Sequence, residues 1–250
     1  MSRKAYMAPE YARYCAIGDS VVEQPGGFAE LVRDALTPAA FANFGVRNVR
    51  AAEVRDVQLS AALAFRPDLA MVVCGANDAM RPGYESRADD VDSAIADIVV
   101  SLQRTGATVI TVSVFVMREY PHMPGWLGAG FVRRMTLLAQ RTNALAARLG
   151  TVHADLSQHP AIAAGDTLTG PDGLHGNAHS HKIAAAAVLD RLGFARSLDL
   201  SDYSACSDHA GCSGCPCHSG CPGCSGCPCH SGCPGCSGCS VYSGSPGCSS

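Results

Sequence analysis

Five short apolar runs punctuate the chain, at residues 14–17, 41–46, 69–74, 109–114 and 152–155. Valine and isoleucine recur in them without strict apolar–polar alternation. Such runs suit strands buried on both faces. Between the runs the apolar period lengthens. Over residues 90–103, Val91, Ala94, Ile95, Ile98, Val99 and Leu102 fall on one helical stripe, because side chains three and four apart share a face. Breakers bound the other helical segments: 28–36 lies between Gly26-Gly27 and Pro38, 53–65 ends at Pro67, 131–149 at Gly150 and 177–192 at Gly193. Strand–helix alternation predicts an α/β fold with a doubly wound, parallel five-stranded sheet.

Ligands of such sheets bind beyond the carboxyl ends of the strands. Ser20, Asn48 and Asn77 each follow a predicted strand and fall at that edge. Asp172 and His175 must reach it through the chain that follows residue 155. These residues supply the parts of a serine hydrolase. A serine hydroxyl is a weak nucleophile until a base takes its proton. His175 can be that base, and Asp172, three residues earlier, can accept from its other ring nitrogen and fix the tautomer. Ser20 at a strand-to-helix turn presents its backbone N–H near a developing oxyanion, and Asn77 offers a side-chain amide. Asp19 reads as the cap of the helix after it. The chain contains no Gly-x-Ser-x-Gly, so the nucleophile elbow of the α/β-hydrolases is not the pattern.

Four blocks together resemble the SGNH (GDSL-type) hydrolase family: Ala16-Ile17-Gly18-Asp19-Ser20, then Asn43-Phe44-Gly45-Val46-Arg47-Asn48, then Gly75-Ala76-Asn77-Asp78, and last Asp172-Gly173-Leu174-His175. The resemblance runs from about residue 14 to 193. It implies a flavodoxin-like sheet, ester hydrolysis through an acyl-enzyme, and no metal or other cofactor. It maps the nucleophile to Ser20, the acid and base to Asp172 and His175, and the oxyanion hole to Ser20, Asn48 and Asn77. Several positions depart from the pattern, among them Val22 and Gln24, where the family often has Thr and Gly, and the short loop 23–27. The second-block glycine is Asn48, and the proline usual after the histidine is Gly176. Asparagine tolerates the left-handed conformation, so the Asn48 N–H either still points inward or is crowded by its own side chain.

Charge and composition narrow the rest. Lys and Arg number 19 against 22 Asp and Glu, a net charge of −3. That balance gives no footing for nucleic acid or an anionic membrane. The N-terminus lacks an apolar targeting core, and no run is long enough to span a bilayer. The expectation is a cytoplasmic protein with a small-molecule ester as its partner. Nothing in the sequence fixes its oligomeric state. Only Cys15 and Cys74 of the 14 cysteines precede residue 200, both in strand-like runs, so they read as buried apolar residues.

Beyond about residue 200 the composition changes. The stretch 211–222, Gly-Cys-Ser-Gly-Cys-Pro-Cys-His-Ser-Gly-Cys-Pro, recurs unchanged at 223–234. So little apolar bulk cannot offset chain entropy. The sequence therefore divides into a hydrolase domain, 1–197, and a low-complexity Cys-rich tail, 198–250, expected to be disordered. The alternative is a metal-binding tail, since Cys212-x-x-Cys215-x-Cys217-His218 has soft ligands at metal-binding spacing.

The reading is a serine esterase for small or short-chain, acetyl-type acyl esters. Its rival is a catalytically weak binding protein, or a carrier of the tail. Three further expectations complete it. His175, His179 and His181 with Asp172 form an alternative metal cluster. His179 and His181 otherwise read as exposed or capping residues. His122 and Trp126 lie in the loop 118–130, near the pocket.

Overall fold

The computed structural model describes residues 10–117, 120 and 125–194. The tail, the boundary at 197/198 and His122 lie outside them. Five strands form one sheet: β1 (Arg13–Gly18), β2 (Ala40–Asn43), β3 (Leu69–Val73), β4 (Thr108–Ser113) and β5 (Val152–Asp155). Their order is β2-β1-β3-β4-β5 and every pairing is parallel. This is the flavodoxin-like, doubly wound order, with its switch point between β1 and β3. The carboxyl ends of those two strands are in register, Gly18 opposite Val73.

Side chains of successive strand residues point to opposite faces, so each face nucleates its own core. On one face Tyr14, Ala16, Met71, Ile110 and Val112 pack against α2 (Phe28–Leu36) and α9 (Ala178–Arg191). On the other, Cys15, Ile17, Ala70, Val72 and Val109 meet α6 (Ala88–Gln103) and α7 (Gly125–Leu149). All six stripe residues of α6 are buried. Burial also pushes the Cys15 thiol up to about 12, consistent with its reading as a small hydrophobe. Among the described residues no helix is long and apolar enough to cross a membrane.

Three elements differ from expectation. β2 stops at Asn43 rather than residue 46, because the Asn43 side chain turns back to accept from the Gly45 N–H at 2.9 Å. The segment after it is a helical run in three parts: α3 (Ala51–Glu53), a π-helical turn (Val54–Gln58) and α4 (Leu59–Phe65). The long helix α7 starts at Gly125, six residues before the predicted start, and takes in Gly128 and Gly130. Glycine costs about 1 kcal/mol in a helix, which hid this first turn. Buried Phe131, Met135 and Leu138 hold the helix against the core. The backbone of Trp126 thus belongs to a helix, not to a loop.

Candidate active site

Each candidate residue sits just past a strand end. Ser20 opens the short helix α1 (Ser20–Glu23) directly after β1. Asp19 caps it, accepting from the Val21 N–H at 3.1 Å, as expected. As the first residue of that helix, Ser20 has a backbone N–H with no intrahelical acceptor. The turn is possible because residue 18 is glycine: a Cβ there would lie 2.0 Å from the Val73 carbonyl oxygen. Buried Gln58 holds the same residue from the side. Its Oε1 accepts from the Gly18 N–H and its Nε2 donates to the Gly18 carbonyl, both at 2.8 Å. The sequence reading missed Gln58. Its only signal was a polar residue where the helical stripe wanted an apolar one, and the π-turn is what aims it at the sheet edge.

Asp172 and His175 arrive on a tight loop after β5. Thr169 and Gly176 bridge the loop's base, and Gly170 donates to the His175 carbonyl at 2.8 Å. Asn177 pins the loop by donating to the Thr167 carbonyl at 2.7 Å, and it also caps α9. The tip is set by Asp172, whose Oδ1 accepts from the N–H groups of Leu174 and His175, each at 3.0 Å. Its Oδ2 lies 2.5 Å from His175 Nδ1. His175 Nε2 lies 3.1 Å from Ser20 Oγ. The hydrogen bond to His175, then those from the backbone, hold the Asp172 carboxyl down at about 2. Gly176, where the family usually has proline, has a local reason. A Cβ there would fall 2.6 Å from Ser180 Oγ at the start of α9.

Asn77 lies in α5 (Ala76–Ala79), after β3. Its Nδ2 donates to the Val49 carbonyl at 2.9 Å, leaving a second amide hydrogen uncommitted. The neighbouring Asp78 accepts from the Ala51 N–H at 2.9 Å. These two bonds tie the β3 block to the loop that carries Asn48. Asn48 has φ 62°, in the left-handed region, and its side chain is exposed rather than lining the cavity beside Ser20. The backbone conformation a glycine would take is therefore present.

The three histidines do not converge. His175 faces Ser20 and Asp172, whereas exposed His179 pairs with Asp166 at 3.0 Å. His181 corrects the expectation of exposure. It is 5% exposed, accepts the Phe28 N–H on Nδ1 at 3.2 Å and stacks on the Phe28 ring. Burial lowers it to about 4, so it is a neutral imidazole joining α9 to the start of α2. Its position on the inward side of an Ala-rich helix follows from packing that periodicity alone did not reveal.

An imidazole poised between a hydroxyl and a carboxylate, beside a strand-end amide, on a 2-1-3-4-5 parallel sheet, defines the SGNH type of α/β hydrolase. The profile described as the GDSL-like Lipase/Acylhydrolase family matches residues 16–183, and the chain belongs to that family of ester hydrolases. No curated protein matches the chain. Solved structures give the fold from a distance. A catalytic mutant of Axe2, an acetylxylan esterase from Geobacillus stearothermophilus, superposes with TM-score 0.62 at 17% identity. It covers 75% of this chain and 97% of that one. LAE5, an alpha/beta hydrolase enzyme from the metagenome of Lake Arreo, Spain, gives TM-score 0.59 at 16% identity, covering 74% and 97%.

Proposed function

We propose that the protein is a serine esterase acting on uncharged acyl esters, acetyl among them, through an acyl-enzyme. The observation that carries this reading is the placement of His175, 3.1 Å from Ser20 Oγ and 2.5 Å from Asp172. Ser20 Oγ attacks the ester carbonyl carbon while His175 Nε2 takes its proton. Asp172 holds the ring in the tautomer that leaves Nε2 free to accept, and stabilises the imidazolium that follows. The negative charge on the carbonyl oxygen is met by the N–H groups of Ser20 and Asn48 and by the free amide hydrogen of Asn77. Collapse expels the alcohol, protonated by His175. Water, deprotonated by His175, then releases the acid and restores Ser20. A further support comes from catalytic mutants of the acetylxylan esterase. They change a serine, a histidine and an aspartate, the last three residues before the histidine. Asp172 and His175 repeat that spacing.

The test uses a fluorophosphonate probe and p-nitrophenyl acetate. Wild type is expected to label at one site and turn over. Ser20→Ala is expected to lose both, with its circular dichroism unchanged. His175→Ala loses nearly as much turnover, because the three residues act as a unit. Wild-type turnover retained in the Ser20 variant would refute the assignment. A wild type inert toward the probe and every ester would point instead to a binding role.

A further inference from the structure

Beside Ser20 and His175 the sheet edge opens into a pocket that the reaction itself does not require. Its floor is made by Val73 and Val112 at the ends of β3 and β4, and its walls include Phe115, Phe131, Met135 and Leu156. Several polar groups that also border it are engaged elsewhere. Ser113 donates to Asp155 at 2.7 Å, Ser180 donates to the Asn177 carbonyl at 2.9 Å, and His181 accepts the Phe28 N–H on Nδ1, which leaves only its buried Nε2 without a partner among these three. Among the described residues no lysine, arginine or carboxylate lines it. A sugar or a charged acyl group would lose its water there and gain little in return.

The cavity volume is about 120 Å³. Allowing about 15 Å³ for each water-sized atom, it holds a chain of about eight carbons. An acetyl group would leave most of the pocket empty. The acyl part stays bonded to Ser20 between the two half-reactions, whereas the alcohol must leave, so an apolar pocket beside Ser20 suits the acyl side.

Resting on the serine-esterase reading above, we infer that this pocket seats an uncharged acyl chain of up to about eight carbons, making medium-chain acyl esters the preferred substrate class. Met135, 6% exposed and on α7, sets its depth. A methionine can shift to follow a flexible chain.

The experiment measures kcat/KM of the full-length protein for p-nitrophenyl esters from acetate to laurate, below their aggregation limits. The ratio is expected to rise about two- to fourfold per added methylene as far as hexanoate or octanoate, then to fall. Met135→Trp, which fills the pocket, should lower the octanoate-to-acetate ratio tenfold or more. Met135→Ala should move the optimum toward decanoate. If Met135→Trp loses its circular dichroism signature, Val112→Leu raises the floor and carries the same direction. Acetate as the best substrate with a steady fall thereafter, or a ratio that none of these variants moves, would overturn the inference. A second arm compares ethyl and octyl acetate. A gain with alcohol length but none with acyl length would assign the pocket to the leaving group and also overturn it. In these cases Ser20-dependent acetate turnover survives, which separates them from failure of the esterase reading, where no ester is cleaved.

Discussion

Asn48 is the residue where the sequence left two outcomes open, and its backbone takes the left-handed conformation that a glycine would adopt there. Its φ of 62° costs an ordinary residue roughly 1–2 kcal/mol and costs asparagine less. The side chain is exposed and does not line the cavity, so replacing it should remove nothing from the oxyanion site. Asn48→Gly is therefore expected to change kcat by no more than a few-fold. Asn77→Ala removes a donor with no substitute and also frees the Val49 carbonyl, so kcat should fall about 10²–10³-fold. Steady-state kinetics on both variants decide the point. A tenfold or greater gain in Asn48→Gly would mean that the asparagine misaims its own N–H.

At the scale of elements, two buried ionisable groups fasten the ends of helices, and they respond to pH in opposite senses. Asp19, the cap of α1, is 1% exposed, and one of its oxygens has no partner. Burial raises it to about 6, with Asp78 adding to the effect. The unfolded chain ionises this group near 4 and the folded chain only near 6, so its contribution to stability falls as pH rises from about 4 to 6. His181, joining α9 to α2, is lowered to about 4. The unfolded chain binds that proton near 6.5, so its contribution falls as pH drops from about 6.5 to 4. The two slopes offset in the wild type. Asp19→Asn should leave stability little changed at pH 4 and raise it at pH 7 by on the order of 1–3 kcal/mol. His181→Gln should expose the opposite slope. Urea unfolding at the two pH values measures both, and an equal shift of Asp19→Asn at pH 4 and 7 would refute the account. The same elements show what the chain's pattern could convey. Strand centres, the parallel doubly wound sheet and the α6 stripe follow from period and from crossover rules, the flavodoxin-like order is implied by the family resemblance, and the four motif blocks mark the strand ends. The short helices α1, α5 and α8 (Pro160–Ala164) hold four or five residues each, too few to express a period. Gln58 and His181 owe their roles to packing between segments distant in sequence, which no local pattern records.

For the whole molecule, both core faces and every strand of the sheet lie between residues 13 and 194. All candidate site residues lie there too. The Cys-rich stretch after residue 200 has a Gly/Ser/Pro content that gives it little apolar surface to bury. A chain ending at Leu200 is therefore expected to keep the wild-type Tm to within about 2 °C and the wild-type kcat/KM on p-nitrophenyl acetate. It should also be less prone to oxidative cross-linking, since twelve of the 14 cysteines are gone. The two cysteines that remain, Cys15 and Cys74, have thiols raised by burial and so are poor nucleophiles. Differential scanning calorimetry and non-reducing electrophoresis of the two forms test this directly. A Tm lower by 5 °C or more, or lost turnover, would show that the tail contributes to the hydrolase fold. The tail's own chemistry is separable from that result. Zinc titration of the isolated segment 201–250 is expected to give weak, graded binding. Tight binding at fixed stoichiometry would instead make the repeated Cys-x-x-Cys-x-Cys-His unit a metal site carried by an esterase, since a defined ligand set saturates at a defined ratio whereas a flexible thiol-rich chain does not.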